Sequence, residues 1–261
     1  LGRTTEASLY FEREIAFGGN VVGASRHLAA NLLARGRIDE LARRMDNDPA
    51  FADVQTPRVR RRLAAARGNT LPYVAAVVDA TVHRATVHGV AAAGLILVVW
   101  MVFLRGLDVF EPERPHALAL TLTLGMGSAV LATMAYDVAG FNLGAGLVGK
   151  PLPDLLYCIL VVGLIEEAVK LLPLAAVMAW TRWVDEPVDV AIYGATSALG
   201  FAFAENVMYF DPTGLATIYG RAFTSTVMHM ALTSLAAYGL TVARATGSSW
   251  RDGLRIGVRF F

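Results

Sequence analysis

The 261-residue chain is 55% hydrophobic and 17% charged, with a mean hydropathy of +0.49 and a formal net charge of +1 at pH 7. Long apolar runs at this composition are typical of a multi-pass membrane protein and exclude an ordinary soluble enzyme. The single cysteine, Cys158, lies within an apolar run, so neither a disulfide framework nor a cysteine-ligated metal is available.

Residues 1–84 differ in composition from the rest of the chain, because more than half of the 23 Lys and Arg residues fall there. Within segment 23–45, apolar residues recur at near-helical spacing between polar ones: Leu28, Leu32, Ile38, Leu41 and Met45. This pattern predicts a soluble, Arg-rich helical domain, and the positive-inside rule places it on the cytoplasmic side.

The sequence RVRRRLAAAR at 58–67 is the most basic segment of this domain. One interpretation is contact with anionic membrane lipids, where each basic residue is worth about 1 kcal/mol. The other is a solvated helix face that follows the positive-inside rule. Nucleic-acid binding is not expected, since aromatic residues do not interleave with the arginines.

Five apolar stretches follow, and each is long enough to cross a bilayer as a helix. They are 85–104, 116–136, 155–180, 188–210 and 222–243. Segment 138–149 is shorter and rich in glycine, so it is not counted as a sixth span; it is compatible with a re-entrant turn. We therefore predict an all-α, polytopic transmembrane helical bundle over 85–261, in the cell membrane, preceded by the soluble helical region.

The basic residues near the end of the chain conflict with five spans. A cytoplasmic N-terminal domain and five crossings place Arg244, Arg251, Arg255 and Arg259 on the far side, against the positive-inside rule. Either 138–149 crosses the membrane, or 253–261 begins another membrane element.

The third predicted span carries Glu166, Glu167 and Lys170 near its middle. An ionisable group there costs at least ~2.5 kcal/mol, so such groups face a protein interior or a wet cavity and usually have a function. At 1.5 Å per residue, Glu205 lies about 8 Å and His229 about 11 Å from the shared 211–221 end of their spans. We expect Glu166, Glu167, Glu205 and His229 to line one water-accessible cavity with Asn206 at its edge. The Glu167 and His229 side chains should lie within about 4–8 Å of each other.

Each of these residues also has a structural interpretation. Glu166 and Lys170 are four residues apart and can neutralise each other, so Lys170 is expected to serve structure more than chemistry. Glu167 is then left less compensated, which favours a chemical role. His229 alone would more often be a hydrogen-bonded core histidine, but beside carboxylates it forms an acid/base pair or a ligand set.

The motifs carry a family resemblance over about residues 150–243. EEAVK at 166–170 fits E-E-x-x-K, 201–206 fits F-x-x-x-E-N, and His229 falls in the following span. Here the chain resembles the PrsW family of intramembrane proteases, distant relatives of the type II CAAX-prenyl endopeptidases. The resemblance implies peptide-bond hydrolysis in or at the edge of the bilayer, on membrane-tethered proteins such as anti-sigma factors. It does not cover residues 1–84.

Two mechanisms stay open. In the glutamate mechanism, Glu166 or Glu167 takes a proton from water, His229 orients that water or shuttles protons, and Asn206 donates to the oxyanion. The chain departs from the CAAX-endopeptidase pattern in having Glu205 where those enzymes have His and Thr233 where they have Asn, so the site holds more carboxylate and less imidazole.

In the metal mechanism, Glu167, Glu205 and His229 hold Zn²⁺ and Glu166 is the general base. No HExxH spacing supports a metal, and adjacent glutamates on a helix point about 100° apart, so both cannot readily be ligands. The sequence slightly favours the mechanism without a cofactor.

Two functions of other classes are compatible with the same charges. A transporter or proton-conducting protein would also place Glu, Lys and His at mid-membrane, but no internal repeat is found between the halves. A non-catalytic membrane scaffold would tolerate loss of the Glu-Glu pair, whereas all motif residues are present here.

Overall fold

The computed structural model describes residues 2–82, 85–107, 111–142, 144–210 and 215–245. Within these ranges all regular secondary structure is helical, which confirms the predicted all-α fold. The chain divides into two compact units, residues 1–83 and 84–261, and each is described by itself below.

The first unit is a bundle of short helices around an apolar core. The helices are α1 (Gly2–Ala16), α2 (Val21–Ala34), α3 (Ile38–Asn47), a 3₁₀ turn (Pro49–Val54), α4 (Pro57–Ala66) and α5 (Thr70–Val82). Their core contains Leu28, Leu32, Leu41, Phe51 and Val54, each at most 1% exposed, with Ile38 and Met45 packed against it. The predicted apolar stripe therefore faces the interior.

Segment 23–45 forms two helices and not one continuous helix. The chain turns after α2 at Gly36, whose φ of +69° lies in the left-handed region that glycine adopts without strain. The Arg37 N–H donates back to the Leu32 carbonyl oxygen at 2.9 Å, which closes the end of α2. The basic segment 58–67 is α4, which begins at Pro57 after the capping side chain of Thr56.

The second unit contains the helices that carry the predicted spans. They are α6 (Val87–Leu107), α7 (Pro115–Asn142), α8 (Pro151–Tyr157), α9 (Leu164–Trp180), α10 (Pro187–Tyr209), α11 (Leu215–Gly220) and α12 (Thr226–Ala245). Among the described residues, three helices are long and apolar enough to cross a membrane: Val87–Leu107, Pro115–Gly140 and Pro187–Tyr209.

The two other predicted spans are helical but contain π-helical turns. Cys158–Gly163 links α8 to α9, and Arg221–Ser225 links α11 to α12. Each π turn comes just before a helix that carries predicted site residues. Such turns are frequent at functional sites. That these two segments cross the membrane stays a prediction.

Helix α7 is longer than predicted and includes the start of the glycine-rich segment. It runs to Asn142 instead of ending near 136, since a glycine inside an apolar helix is tolerated where neighbours cover the backbone. Residues 144–150 are irregular, with positive φ at Gly144 (65°) and Gly149 (78°). The closing segment 253–261 lies outside the described residues.

Helix α10 is the central element of this unit and packs against α6, α7, α9 and α12. Two glycines allow α7 and α10 to approach closely: a Cβ on Gly125 would overlap the Ser197 backbone, and one on Gly200 would overlap the Leu122 backbone. Ser197 also donates to the Lys170 carbonyl oxygen at 2.6 Å. The contacts of α10 therefore set the positions of α7 and α9 around the predicted site.

Candidate active site

Helix α9 directs its charged residues to one point. Lys170 Nζ donates to Glu166 Oε2 at 3.2 Å and to Glu167 Oε1 at 2.7 Å. It also lies 2.6 Å from His229 Nδ1 and 4.5 Å from the centroid of the Phe201 ring. One ammonium group thus contacts both carboxylates of the Glu-Glu pair and a side chain from each of α10 and α12.

The convergence of both carboxylates on Lys170 differs from the expected pairing with Glu166 alone. Lys170 lies four residues after Glu166 and three after Glu167, and both spacings place side chains on the same helix surface. The Lys170 side chain is flexible and lies between the two carboxylates. Both can therefore accept from its ammonium group, although they point in different directions around the helix axis. Glu167 is therefore compensated at least as well as Glu166.

Glu205 on α10 and His229 on α12 complete this group. His229 Nε2 lies 2.9 Å from Glu205 Oε2, and His229 Nδ1 lies 3.7 Å from Glu166 Oε2. An ammonium group has only donors, so Nδ1 accepts from Lys170 and the ring proton sits on Nε2, where it is donated to Glu205. We call Glu166, Glu167, Lys170, Glu205 and His229 the Lys170 cluster.

The members of the Lys170 cluster differ in their access to solvent. The Lys170 side chain is fully buried, and that of Glu167 is 8% exposed. The side chains of Glu166, His229 and Glu205 are 14%, 14% and 16% exposed. The structure thus brings the predicted residues together, and three of them are partly exposed; a water-accessible cavity there stays a prediction.

Three polar partners of the Lys170 cluster were not predicted. Tyr136 on α7 donates to Glu166 Oε1 at 2.7 Å, Thr233 on α12 donates to Glu167 Oε2 at 2.7 Å, and Arg221 donates to Glu205 Oε2 at 2.6 Å. Thr233 was noticed only because it replaces the Asn of the related enzymes. An arginine or tyrosine at the end of an apolar run is normally an interfacial residue, so the sequence carried no stronger signal for the other two.

Asn206 is buried and hydrogen-bonded to residues outside the Lys170 cluster. Its Oδ1 accepts from Arg221 Nε at 2.6 Å, its Nδ2 lies 3.3 Å from Thr226 Oγ1, and the residue is 1% exposed. The role of oxyanion donor that the sequence suggested would require its amide to leave Thr226. In this arrangement Asn206 supports Arg221.

The predicted metal ligands do not converge on one point. Glu205 faces His229 Nε2, whereas Glu167 faces Lys170 on the side of Nδ1, and the two ring nitrogens point in different directions. Both Glu167 oxygens accept hydrogen bonds, from Lys170 and Thr233. Across the described parts of the chain, no group of three His, Cys, Asp or Glu side chains is arranged to hold a metal ion.

A second group of buried carboxyls lies at the other end of α10. Tyr193 donates to Glu113 Oε2 at 2.6 Å, and Asp189 Oδ2 accepts from the backbone N–H of Glu186 at 2.7 Å. Burial raises the pKa of the Glu113 carboxyl above its ordinary value, and the nearby charge of Asp189 raises that pKa further. The sequence analysis did not single out this group.

Comparison with known proteins adds one assignment. The model of a family described as PrsW family intramembrane metalloprotease matches residues 113–260, which is more than half of the chain. Neither the curated proteins nor the solved structures include a match. The match covers every member of the Lys170 cluster and the helices that carry it. The chain is therefore a multi-pass membrane peptidase that belongs to the PrsW family of intramembrane proteases.

Proposed function

We propose that the chain is a glutamate-type intramembrane endopeptidase that hydrolyses peptide bonds of membrane-tethered proteins at the Lys170 cluster. The observation that carries this proposal is the position of the Lys170 ammonium, which lies among Glu166, Glu167 and His229. An ammonium group at this position compensates two carboxylates that would otherwise be costly in an apolar environment.

Glu166 is the proposed general base. Its Oε2 is 3.2 Å from Lys170 Nζ and 3.7 Å from His229 Nδ1, and its side chain is more exposed than that of Glu167. Tyr136 fixes the other oxygen, Oε1. Each of the two carboxylates accepts hydrogen bonds through both oxygens, so it is the larger exposure of the Glu166 side chain, 14% against 8% for Glu167, that lets water reach Glu166 more readily. Glu167 then keeps Lys170 in place and does not itself take the proton.

The proposed reaction has two proton transfers. Glu166 takes one proton from water as the water oxygen bonds to the carbonyl carbon of the scissile peptide, giving a tetrahedral oxyanion. The N–H groups of the Lys170 ammonium and the Nε2–H of His229 are already donated within the cluster, so Lys170 stabilises the developing negative charge through its positive charge. Glu166 then gives its proton to the leaving nitrogen as the carbon–nitrogen bond breaks, which regenerates the carboxylate and releases an amine and a carboxylic acid.

The family description names a metalloprotease, but the residues present do not fit a metal in this arrangement. A tetrahedral zinc site needs free lone pairs about 2.0–2.2 Å from one point. The Nδ1 lone pair of His229 is taken by Lys170, and its Nε2 carries the proton donated to Glu205. A metal at the centre of Glu166, Glu167 and His229 would have to displace the Lys170 ammonium.

Membrane-tethered proteins are the proposed substrates, and regulators of the anti-sigma-factor type are the class that the family resemblance suggests. A protease whose site lies within apolar helices acts on peptide bonds at similar depth. A peptide bond in an intact helix is shielded by its own hydrogen bonds, so the substrate segment must unwind before it reaches Glu166.

The test is cleavage of a panel of single-span substrates by the purified protein in liposomes. Wild type, Glu166→Gln, Glu167→Gln and His229→Asn are compared, with and without a strong zinc chelator. We expect Glu166→Gln to lower kcat by about 10²–10⁴-fold. Glu167→Gln should act mainly on stability, and the chelator should have no effect. Loss of cleavage with chelator that zinc alone restores would overturn the metal-free mechanism.

The same panel decides between the proposed function and the two other classes. Family membership favours a peptidase over a transporter. A folded wild-type protein that cleaves no substrate while conducting protons across the liposome membrane would make it a proton conductor. A folded protein that binds single-span proteins without cleaving them would make it a scaffold.

A further inference from the structure

The guanidinium of Arg221 binds both residues of the Glu-Asn pair near the end of α10. Nη2 donates to Glu205 Oε2 at 2.6 Å, and Nε donates to Asn206 Oδ1 at 2.6 Å. The Cζ atom lies 4.3 Å from the centroid of the Tyr209 ring, and the side chain is 14% exposed. A planar fork with several fixed donors suits two acceptors and a ring face at once, whereas lysine is a single point charge.

Arg221 is connected to His229 through one oxygen atom. Glu205 Oε2 accepts from both Arg221 Nη2 and His229 Nε2, the latter at 2.9 Å. A permanent positive charge favours the carboxylate form of its partner. As a carboxylate, Glu205 holds the ring proton of His229 on Nε2 and leaves Nδ1 to face Lys170.

The π-helical turn at Arg221–Ser225 allows this arrangement. Eight residues separate Arg221 from His229, and in a regular α-helix they turn through about 800°, which leaves the two side chains about 80° apart. A π turn has more residues per turn, so it underwinds the chain and reduces this difference. Both side chains thereby reach the same carboxylate on α10.

We infer that Arg221 is a positioning residue that fixes the orientation and tautomer of His229 through Glu205. It acts on the reaction without contacting the scissile bond, and no motif assigned to the site includes it. The expected change in kcat rests on the proposed function, whereas the expected change in the His229 tautomer does not. Arg221→Ala should lower kcat by about 10- to 100-fold, the range found when the hydrogen-bonded groups that orient a functional imidazole are removed. KM should change little, because the substrate does not touch the guanidinium.

Chemical rescue separates positioning from a general structural role. Guanidinium ion at millimolar concentration should restore a large part of kcat in Arg221→Ala, with saturation. Arg221→Lys should keep only part of the activity, since one ammonium cannot serve both Glu205 and Asn206. The matched control is Arg105→Ala, which removes an exposed arginine near the end of α6. It should keep kcat within about twofold and should not respond to guanidinium.

Histidine-selective ¹⁵N NMR provides a readout that does not depend on cleavage. The His229 signal is assigned as the one that disappears in His229→Asn. It should report a proton on Nε2 in the wild type and a mixture of tautomers in Arg221→Ala, reversed by guanidinium. An unchanged tautomer in Arg221→Ala would overturn the inference. A loss of kcat that guanidinium does not restore, together with a lower melting temperature, would also overturn the inference. If the wild type cleaves nothing, the proposed function fails while the tautomer measurement still decides the role of Arg221.

Discussion

The two units of the chain place their charges in opposite ways. In the first unit, ion pairs lie outside an apolar core: the Arg44–Glu12 side chains are 28% and 37% exposed, and Arg60 pairs with Asp79 between α4 and α5. In the second unit, apolar side chains such as Leu95 and Val102 of α6 are exposed at 67%, whereas Lys170 is fully buried among its partners.

The difference shows where each charge finds its compensation. Water solvates a charge on the first unit whether or not a partner is present, so a pair there adds little. A buried charge in the second unit, such as that of Lys170, has no such solvent, and its free energy depends on particular partner atoms.

Replacing Lys170 with Met should have the largest effect. The change leaves Glu166 and Glu167 adjacent and uncompensated, and breaking a buried pair from one side costs about 3–5 kcal/mol. We expect a lower melting temperature in detergent, and loss of cleavage at every pH where the wild type is active. The matched control is Lys150→Met at the chain's other lysine, which is exposed and should melt like the wild type.

The double substitution Lys170→Met with Glu167→Gln sharpens this test. Removing one carboxylate along with the ammonium leaves a smaller uncompensated charge, so part of the lost stability should return. A Lys170→Met protein as stable as Lys150→Met would contradict the contrast, because Lys170 would then behave like a surface residue.

Truncating Leu32 in the first unit should cost about 3 kcal/mol, within the range for Leu→Ala in a packed core. Leu32 is 1% exposed, and Leu71, at 83% exposed, is the matched control. Proteolysis of residues 1–83 in Leu32→Ala and in Leu71→Ala measures the effect. Cleavage of substrates should persist in both variants, and its loss in Leu32→Ala would contradict the division into two units with separate tasks.

The sequence predicted the all-α fold and singled out the charged residues that the structure brings together, for a physical reason. Charges such as Glu166 and His229 in long apolar runs are costly, so their presence is a strong signal, and helical periodicity limits where they can point. The near-helical spacing of Leu28, Leu32 and Leu41 was also a strong signal, because residues that pack in a core recur on one face of a helix.

The partners of those residues could not be predicted in the same way. Tyr136 and Arg221 join the cluster because α7 lies close to α9 and because the π turn underwinds the chain before α12. Neither cause is local: helix packing and a change in helical register depend on contacts across the unit. The sharing of Lys170 by both glutamates was missed although helical spacing allows it, since Glu167 and Lys170 are three residues apart and also lie on one helix surface.

The pH dependence of stability at Glu113, which lies by the end of α10 opposite the Lys170 cluster, also tests the contrast between the two units. Its pKa is raised above the ordinary 4.5 chiefly by burial, so the folded protein binds this proton more tightly than the unfolded chain. The resulting stability is fully present below pH 4.5 and is lost as the pH rises through the folded pKa.

The melting temperature of the wild type should therefore fall as the pH rises above 4.5, and this fall should be smaller in Glu113→Gln. Glutamine keeps an oxygen that can accept from Tyr193. The control is Glu111→Gln, an exposed carboxyl two residues earlier, which should leave the wild-type profile in place. Identical pH profiles for wild type and Glu113→Gln would mean that this carboxyl is solvated, like the charges of the first unit.

Replacing Arg44 with Met should have the smallest effect, although Arg44 makes more ion pairs than most residues of the first unit. It lies 2.5 Å from Glu12 and 3.2 Å from Glu40, and its guanidinium lies over the Phe51 ring at 5.9 Å. Methionine removes two partly exposed ion pairs and the cation–ring contact, each worth about 1 kcal/mol or less, so the total loss should stay below about 2 kcal/mol and should be smaller at high salt. Thermal unfolding at low and high salt, read against Leu32→Ala, measures it. A loss above about 2 kcal/mol that salt does not reduce would place Arg44 with Lys170 as a buried structural charge, and the contrast between the two units would fail.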